Sequence, residues 1–202
     1  MVIGLVMVIT IFIVLLLMFI ITLHSHPMLS SAENDNDDPS TLQLGNLRTC
    51  TIQETNIQGP TIIGTILADV CQGTDRGETI LGLQDNDVLS GNGGDDIVEG
   101  DEGDDKIFGN AGDDVLQGNT GNDKIDGGGR NDILIGGDED DILSGEDGDD
   151  ILYGVIGNDI MRGGTGANEF VCGEGVDTVL DYNPSQGDVI SNDCEIVSNK
   201  VS

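Results

Sequence analysis

The sequence has few aromatic and few basic residues. It contains no Trp, four Phe and two Tyr, and 7 Lys and Arg against 38 Asp and Glu, so that the formal net charge of its 202 residues is −31. Such a charge repels nucleic-acid backbones and anionic membrane surfaces, and cations are the expected partners. Scarce aromatics, high net charge and 31 glycines are typical of disordered chains. An ordered structure therefore requires something besides a hydrophobic core.

Charge is also missing from the N-terminus. Residues 1–32 include no Asp, Glu, Lys or Arg, and residues 1–23 are apolar apart from one glycine and two threonines. At about 1.5 Å per residue, a helix of this length spans a bilayer, which favours a retained anchor. The small residues at 30–32 favour a cleaved signal peptide instead. We predict a hydrophobic helix in 1–32 of one kind or the other, followed by an acidic linker over 33–49.

A nine-residue repeat fills the middle of the chain. Residues 73–171 hold 24 of the 31 glycines and 26 of the 38 acids, and such self-similarity at a fixed period is typical of a solenoid. In each of eleven units a glycine is followed five residues later by an acid or its amide, and two residues after that by an apolar residue. Residues two apart point to the same side of an extended strand. The apolar positions are Ile80, Leu89, Val98, Ile107, Leu116, Ile125, Leu134, Leu143, Leu152, Met161 and Phe170.

Units such as Gly100–Phe108 and Gly109–Gln117 resemble the Gly-Gly-x-Gly-x-Asp-x-apolar-x nonapeptide of the hemolysin-type (RTX) calcium-binding repeats. The resemblance covers about half of the chain. It implies an all-β fold, a right-handed parallel β-roll in which a six-residue turn and a three-residue strand make one repeat and two repeats make one coil. It also implies that Ca²⁺ lies between turns stacked on one edge, held by Asp carboxylates and backbone carbonyls. Ca²⁺ takes six to eight hard oxygen ligands, which suits this composition.

The expected metal ligands are the aspartates of the sixth repeat position. Family geometry implies roughly eight ions. The pattern is broken by Glu78 and Asn168 in place of Asp, and by Arg76, Asp85, Arg130 and Glu139 in place of the third glycine. We expect incomplete sites in the first and last repeats and weaker binding near 127–144. The predicted ligands are Asp87, Asp96, Asp105, Asp114, Asp123, Asp132, Asp141, Asp150, Asp159 and Asp177.

The ends of the repeat array are expected to carry caps, because a solenoid otherwise exposes apolar edges. We assign an N-terminal cap to 50–72, including a weak turn with Asp69 in the acid position, and a C-terminal cap to 172–202. Four cysteines in a chain addressed to the membrane or beyond indicate two disulfides, with three possible connectivities. We favour Cys50 with Cys71 and Cys172 with Cys194, since each pair closes a short loop at one end of the roll.

The residue after each acid faces outward, and alternate repeats share a side of the roll. On one side this position forms an apolar row, Ile97, Val115, Ile133 and Ile151. The β-propensity of branched residues accounts for the row, and a partner-binding or self-association face is the alternative.

The predicted function is that of an extracellular or cell-surface structural module that binds Ca²⁺ and folds on binding it. A calcium-rigidified adhesion or interaction protein is the alternative. An enzyme is not expected: the sequence has no H-E-x-x-H, no G-x-S-x-G and no His after residue 26, so metalloprotease and serine-triad chemistry lack their parts. The many acids leave a carboxylate-pair hydrolase open, but most of them belong to the repeat.

Overall fold

The computed structural model describes residues 48–53 and 60–199. The predicted N-terminal helix, anchor or signal lies outside these residues, as does nearly all of the predicted acidic linker. Within the described residues there is no helix long and apolar enough to cross a membrane. The regular elements of this part of the chain are all β-strands.

The strands form two nine-stranded sheets, and from β3 onwards the chain visits them alternately. Sheet 1 runs in the order β1 (Arg48–Thr49), β4 (Asp69–Gln72), β6 (Val88–Gly93), β8 (Lys106–Ala111), β10 (Lys124–Gly129), β12 (Ile142–Asp147), β14 (Ile160–Thr165), β16 (Thr178–Tyr182) and β18 (Ile196–Asn199). Sheet 2 runs in the order β2 (Thr51–Gln53), β3 (Thr61–Ile63), β5 (Thr79–Gln84), β7 (Ile97–Glu102), β9 (Val115–Thr120), β11 (Ile133–Asp138), β13 (Ile151–Ile156), β15 (Glu169–Glu174) and β17 (Val189–Ile190).

Within the repeat array, pairing in each sheet joins residues eighteen apart. Lys106 pairs with Lys124 in sheet 1, and Ile133 pairs with Ile151 in sheet 2. The described pairs are parallel except β2 with β3, which is antiparallel. Two nine-residue repeats thus make one coil, and the predicted all-β parallel solenoid is confirmed.

The core is a stack of single apolar side chains between the two sheets. Each repeat contributes the one residue that its period places there, and all eleven predicted positions, from Ile80 to Phe170, are buried. Ile62, Cys71, Cys172 and Val179 extend the stack at its two ends. A core of one side chain per repeat contributes little burial for the length of chain that must be ordered.

The strands are longer than the three residues that the resemblance implies. Strands β5 to β15 have six residues each, because pairing continues past the repeat glycine, as between Leu83 and Asp101. The backbone accommodates this by taking a left-handed conformation at the second repeat position. Even the β-branched Val155 does so, with φ of 92°.

Both ends of the solenoid carry a disulfide, as predicted. Cys50 is bonded to Cys71 and Cys172 to Cys194, each with Cα atoms 5.2 Å apart. Because Cys71 and Cys172 are themselves core residues, each bond ties a terminal segment to the stack.

Adjacent coils approach closely at the fourth repeat position. A methyl carbon at Gly112 would lie 1.8 Å from the Gly94 carbonyl oxygen, whereas one at Gly129 would meet nothing closer than 3.8 Å. We therefore expect Gly112→Ala to cost on the order of 2–3 kcal/mol of unfolding free energy and Gly129→Ala to cost far less. Thermal unfolding of both variants in calcium measures the difference, and equal losses would contradict this stacking of the turns.

Candidate metal centre

The sixth-position side chains, which are all acids except Asn168, form two buried columns, one along each edge of the solenoid. Column 1 leads into the strands of sheet 1 and column 2 into those of sheet 2, so that neighbours in a column are eighteen residues apart. All members are at most 2% exposed, and all ten predicted ligands are among them. Column 1 consists of Asp69, Asp87, Asp105, Asp123, Asp141, Asp159 and Asp177, and column 2 of Glu78, Asp96, Asp114, Asp132, Asp150 and Asn168.

A hydrogen bond links each column member to the next. The backbone N–H of Asp87 donates to Oδ1 of Asp105 at 2.7 Å, and that of Asp105 donates to Oδ1 of Asp123 at 2.8 Å. In column 2 the N–H of Asp96 donates in the same way to Asp114. The bond fixes each carboxyl group against the preceding coil and uses one of its two oxygens.

The second oxygen of eleven of these aspartates is buried and has no hydrogen-bond partner among the described residues. A buried polar atom without a partner is strongly unfavourable, and a buried carboxylate more so. The oxygens concerned are Oδ1 of Asp69 and Oδ2 of Asp87, Asp96, Asp105, Asp114, Asp123, Asp132, Asp141, Asp150, Asp159 and Asp177.

From Asp87 to Asp159, the unpartnered oxygen of each column aspartate lies beside the repeat glycine of its own turn and a backbone carbonyl of the next turn. A methyl carbon at Gly82 would lie 2.5 Å from Asp87 Oδ2 and 2.7 Å from the Gly100 carbonyl oxygen. The repeat glycine therefore leaves open a space in which a carboxylate and a carbonyl oxygen converge. Hard oxygens of these two kinds are the ligands that Ca²⁺ takes in proteins, so the residues present fit this ion.

The electrostatics of the columns oppose ionisation without a cation. Burial raises the pKa of Asp96 to about 7, with Asp114 and Glu78 as further negative neighbours. Burial likewise raises the pKa of Asp141 to about 8, and carboxylates one coil away in either direction add to the effect. The backbone N–H bond works in the other direction in both residues but is outweighed.

A second row of polar side chains runs along each edge at the fifth repeat position. These side chains are exposed and bond the next coil directly: Asn86 Oδ1 accepts from the N–H of Asp104 at 2.9 Å, and Asp104 Oδ1 accepts from the N–H of Asn122 at 2.8 Å. The bonds from Asn122 lower the pKa of Asp104. The sequence shows only that these positions are Asn or Asp. It does not indicate their hydrogen bonds, because the partners are eighteen residues away.

Three of the four departures from the third-glycine pattern keep the left-handed backbone of the turn. Asp85, Arg130 and Glu139 take left-handed conformations with φ of 73°, 86° and 80°. The Glu139 carboxylate also accepts from the N–H of Gly121, one coil earlier, at 2.9 Å. Weaker calcium binding near 127–144 stays a prediction.

Parallel coils with buried carboxylate columns and carbonyl-lined turns define a calcium-binding β-roll. The family model described as RTX calcium-binding nonapeptide repeat (4 copies) matches residues 72–107, 99–134, 108–143, 126–161 and 153–180. The matches span more than half of the chain, and the chain belongs to this family. A comparison with curated proteins found no match. The repeats of this family bind Ca²⁺, and the solenoid is a structural calcium-binding module.

The pKa shifts predict the pH dependence of the metal-free protein. A carboxyl group with a pKa near 4 in the unfolded chain and about 7 in the folded one, such as Asp132, favours folding below pH 4. That contribution is lost as the pH rises towards 7 or 8, so stability in metal-free buffer should be higher at pH 5 than at pH 8. Circular dichroism of metal-stripped protein measures this, with more β structure expected at pH 5 than at pH 8. A β content that rises with pH would contradict the assignment.

Proposed function

We propose that the chain is an extracytoplasmic structural module whose solenoid folds when Ca²⁺ binds. The observation that carries the proposal is the set of eleven buried carboxylate oxygens without a hydrogen-bond partner. In the metal-free state each of them opposes folding, because ionisation leaves a buried charge uncompensated and protonation is unfavourable at neutral pH.

The ten predicted aspartates and Asp69 would hold the ions, together with carbonyls such as those of Gly100 and Gly109. Bound Ca²⁺ supplies positive charge and oxygen coordination at the point where successive turns face each other. Roughly eight ions would neutralise about half of the chain's net charge. The ions would thereby join turns that the thin core holds only weakly.

The two disulfides and the apolar N-terminal segment support the proposed extracytoplasmic location. Two disulfides form and persist in an oxidising compartment, and an apolar segment at 1–23 addresses the chain to the membrane or beyond. Sites of the affinity usual in extracellular modules, about 10⁻⁴–10⁻³ M, stay empty in the cytosol and fill outside. The compartment would thus determine whether the solenoid is folded.

Circular dichroism of the purified chain tests folding on binding. We expect a largely unordered spectrum in EGTA at pH 7.5 and a β-rich spectrum after addition of millimolar Ca²⁺, with a cooperative transition between them. Millimolar Mg²⁺ is the control, since this smaller ion demands a stricter octahedral geometry and should not substitute. A β-rich spectrum in EGTA would contradict the proposal.

An interaction surface is the second candidate function, and one feature of sheet 2 favours it. The predicted row Ile97, Val115, Ile133 and Ile151 is continuous in register on the outer face. Ile97 is 45% exposed, and the other three are half-buried. Val155 and Ile156 on strand β13 are exposed as well. Contiguous exposed apolar side chains are typical of protein–protein contacts, and here calcium would rigidify the surface that presents them.

Paired lysine substitutions test whether this face joins two copies of the chain. We expect Ile133→Lys with Ile151→Lys to lower the sedimentation coefficient of the calcium-loaded protein, because two charges interrupt the apolar row. The matched control is Ile142→Lys with Ile160→Lys, a register pair on the outer face of sheet 1. Unchanged sedimentation of the first variant would remove self-association.

A further inference from the structure

The two acid columns end differently. All seven members of column 1, from Asp69 to Asp177, have an unpartnered carboxylate oxygen. In column 2 only the four central members, Asp96 to Asp150, do. The exceptions are the terminal members Glu78 and Asn168, and the structure gives each a distinct local arrangement.

Both oxygens of Glu78 are bonded within its own turn. Oε2 accepts from the backbone N–H of Thr74 at 2.8 Å, and Oε1 accepts from the Thr74 hydroxyl at 2.6 Å. The carbonyl of the following turn is nevertheless in place: a methyl carbon at Gly73 would lie 2.3 Å from the Gly91 carbonyl oxygen and 2.7 Å from Glu78 Oε2. The turn therefore has the oxygens of a metal site, but Thr74 already satisfies the carboxylate.

Asn168 ends the column by a different route. Its Oδ1 accepts from the N–H of Asp150 as an aspartate would, at 3.0 Å. Its Nδ2, a hydrogen-bond donor, takes the place of the unpartnered oxygen and lies 2.5 Å from where a methyl carbon at Gly163 would be. Among the described residues this buried Nδ2 has no hydrogen-bond partner either. A neutral amide donor at this point repels a cation rather than attracting it.

The segment beyond Asn168 meets the column with carboxylates that are already paired. Asp181 accepts from the N–H groups of Gly163 and Gly164, each at 2.9 Å. Asp188 accepts from the N–H of Asn168 at 3.0 Å through Oδ1 and from that of Asn183 at 2.7 Å through Oδ2. At this end of the column, backbone N–H groups thus compensate the carboxylates, as a cation would in the middle of the column.

We infer that column 2 is closed at both ends, by the hydrogen bonds of Thr74 to Glu78 at one end and by an amide in place of a carboxylate at Asn168 at the other. The turns at 73–78 and 163–168 then contribute no carboxylate to a calcium ion. The inference rests on the proposed calcium binding and specifies which turns of the solenoid bind the ion. Column 1 holds ions along its whole length, whereas column 2 holds them only at the carboxylates of Asp96, Asp114, Asp132 and Asp150.

Glu78→Asp tests the first end. The shorter side chain withdraws from the Thr74 hydroxyl and leaves an oxygen free beside the Gly91 carbonyl, so native mass spectrometry at saturating Ca²⁺ should count one more ion than in the wild type. Glu102→Asp, the same change at an exposed residue of sheet 2, should leave the count unchanged. If Glu78→Asp fails to fold, Thr74→Val serves in its place, because it frees Oε1 alone and should produce the same gain.

Asn168→Asp tests the second end. It places a carboxylate where the next segment offers only paired groups, so the ion count should stay the same and the melting temperature in calcium should fall. Asn131→Asp is the control, because this residue is exposed and the Oδ1 that accepts from Asp149 is kept. An extra ion in Asn168→Asp, or none in Glu78→Asp, would overturn the closed column. A wild-type chain that binds no calcium would instead overturn the proposed function.

Discussion

The hydrogen bond from the backbone N–H of each buried acid to the carboxylate one coil further on fixes the direction of that carboxylate, and the metal site depends on it. One oxygen is held against the preceding coil at 2.7–3.0 Å. The other is then directed towards the repeat glycine and the carbonyl of the next turn. A freely rotating surface aspartate would point both oxygens to water, and no such array of unpartnered oxygens would form.

In the proposed function, the burial of these acids makes the folded chain dependent on a cation. A conventional domain offsets the loss of chain entropy with a wide hydrophobic core, but here each repeat adds one apolar side chain and one buried acid. The acids repel one another along the column, and burial raises the pKa of residues such as Asp123 to about 7. Under the proposed calcium binding, protons and calcium ions compete for the same oxygens, and calcium binding is favoured as the pH rises because the ion binds the ionised carboxylate.

Much of the fold is predictable from the sequence because the repeat is strict. A nine-residue period with the acid and the apolar residue two apart determines which side chains are buried, and residues from Ile80 to Phe170 lie where the period places them. The pairing of Cys50 with Cys71 and of Cys172 with Cys194 follows in turn, since each pair lies at one end of the array. These features need only the local geometry of a strand and the position of each residue along the period.

Side-chain hydrogen bonds between residues in adjacent coils could not be predicted from the sequence. The bond from Gly121 to the Glu139 carboxylate and the exposed row that begins at Asn86 and Asp104 require adjacent coils to be stacked before the partner is known. The antiparallel pairing of β2 with β3 lies before the repeat, where no period guides the prediction. For the same reason the sequence marks Glu78 only as a departure from the pattern, whereas the structure shows that Thr74 holds both of its oxygens.

The positions of calcium ions in a crystal grown with Ca²⁺ test whether the two columns bind the metal. Anomalous difference density collected at long wavelength locates the ions independently of the protein phases. Calcium binding by both columns predicts two rows of peaks, one along each edge, at about 2.3–2.6 Å from the oxygens without hydrogen-bond partners and from the glycine carbonyls beside them. Peaks confined to exposed acids such as Asp104, or an absence of peaks from a folded solenoid, would contradict it.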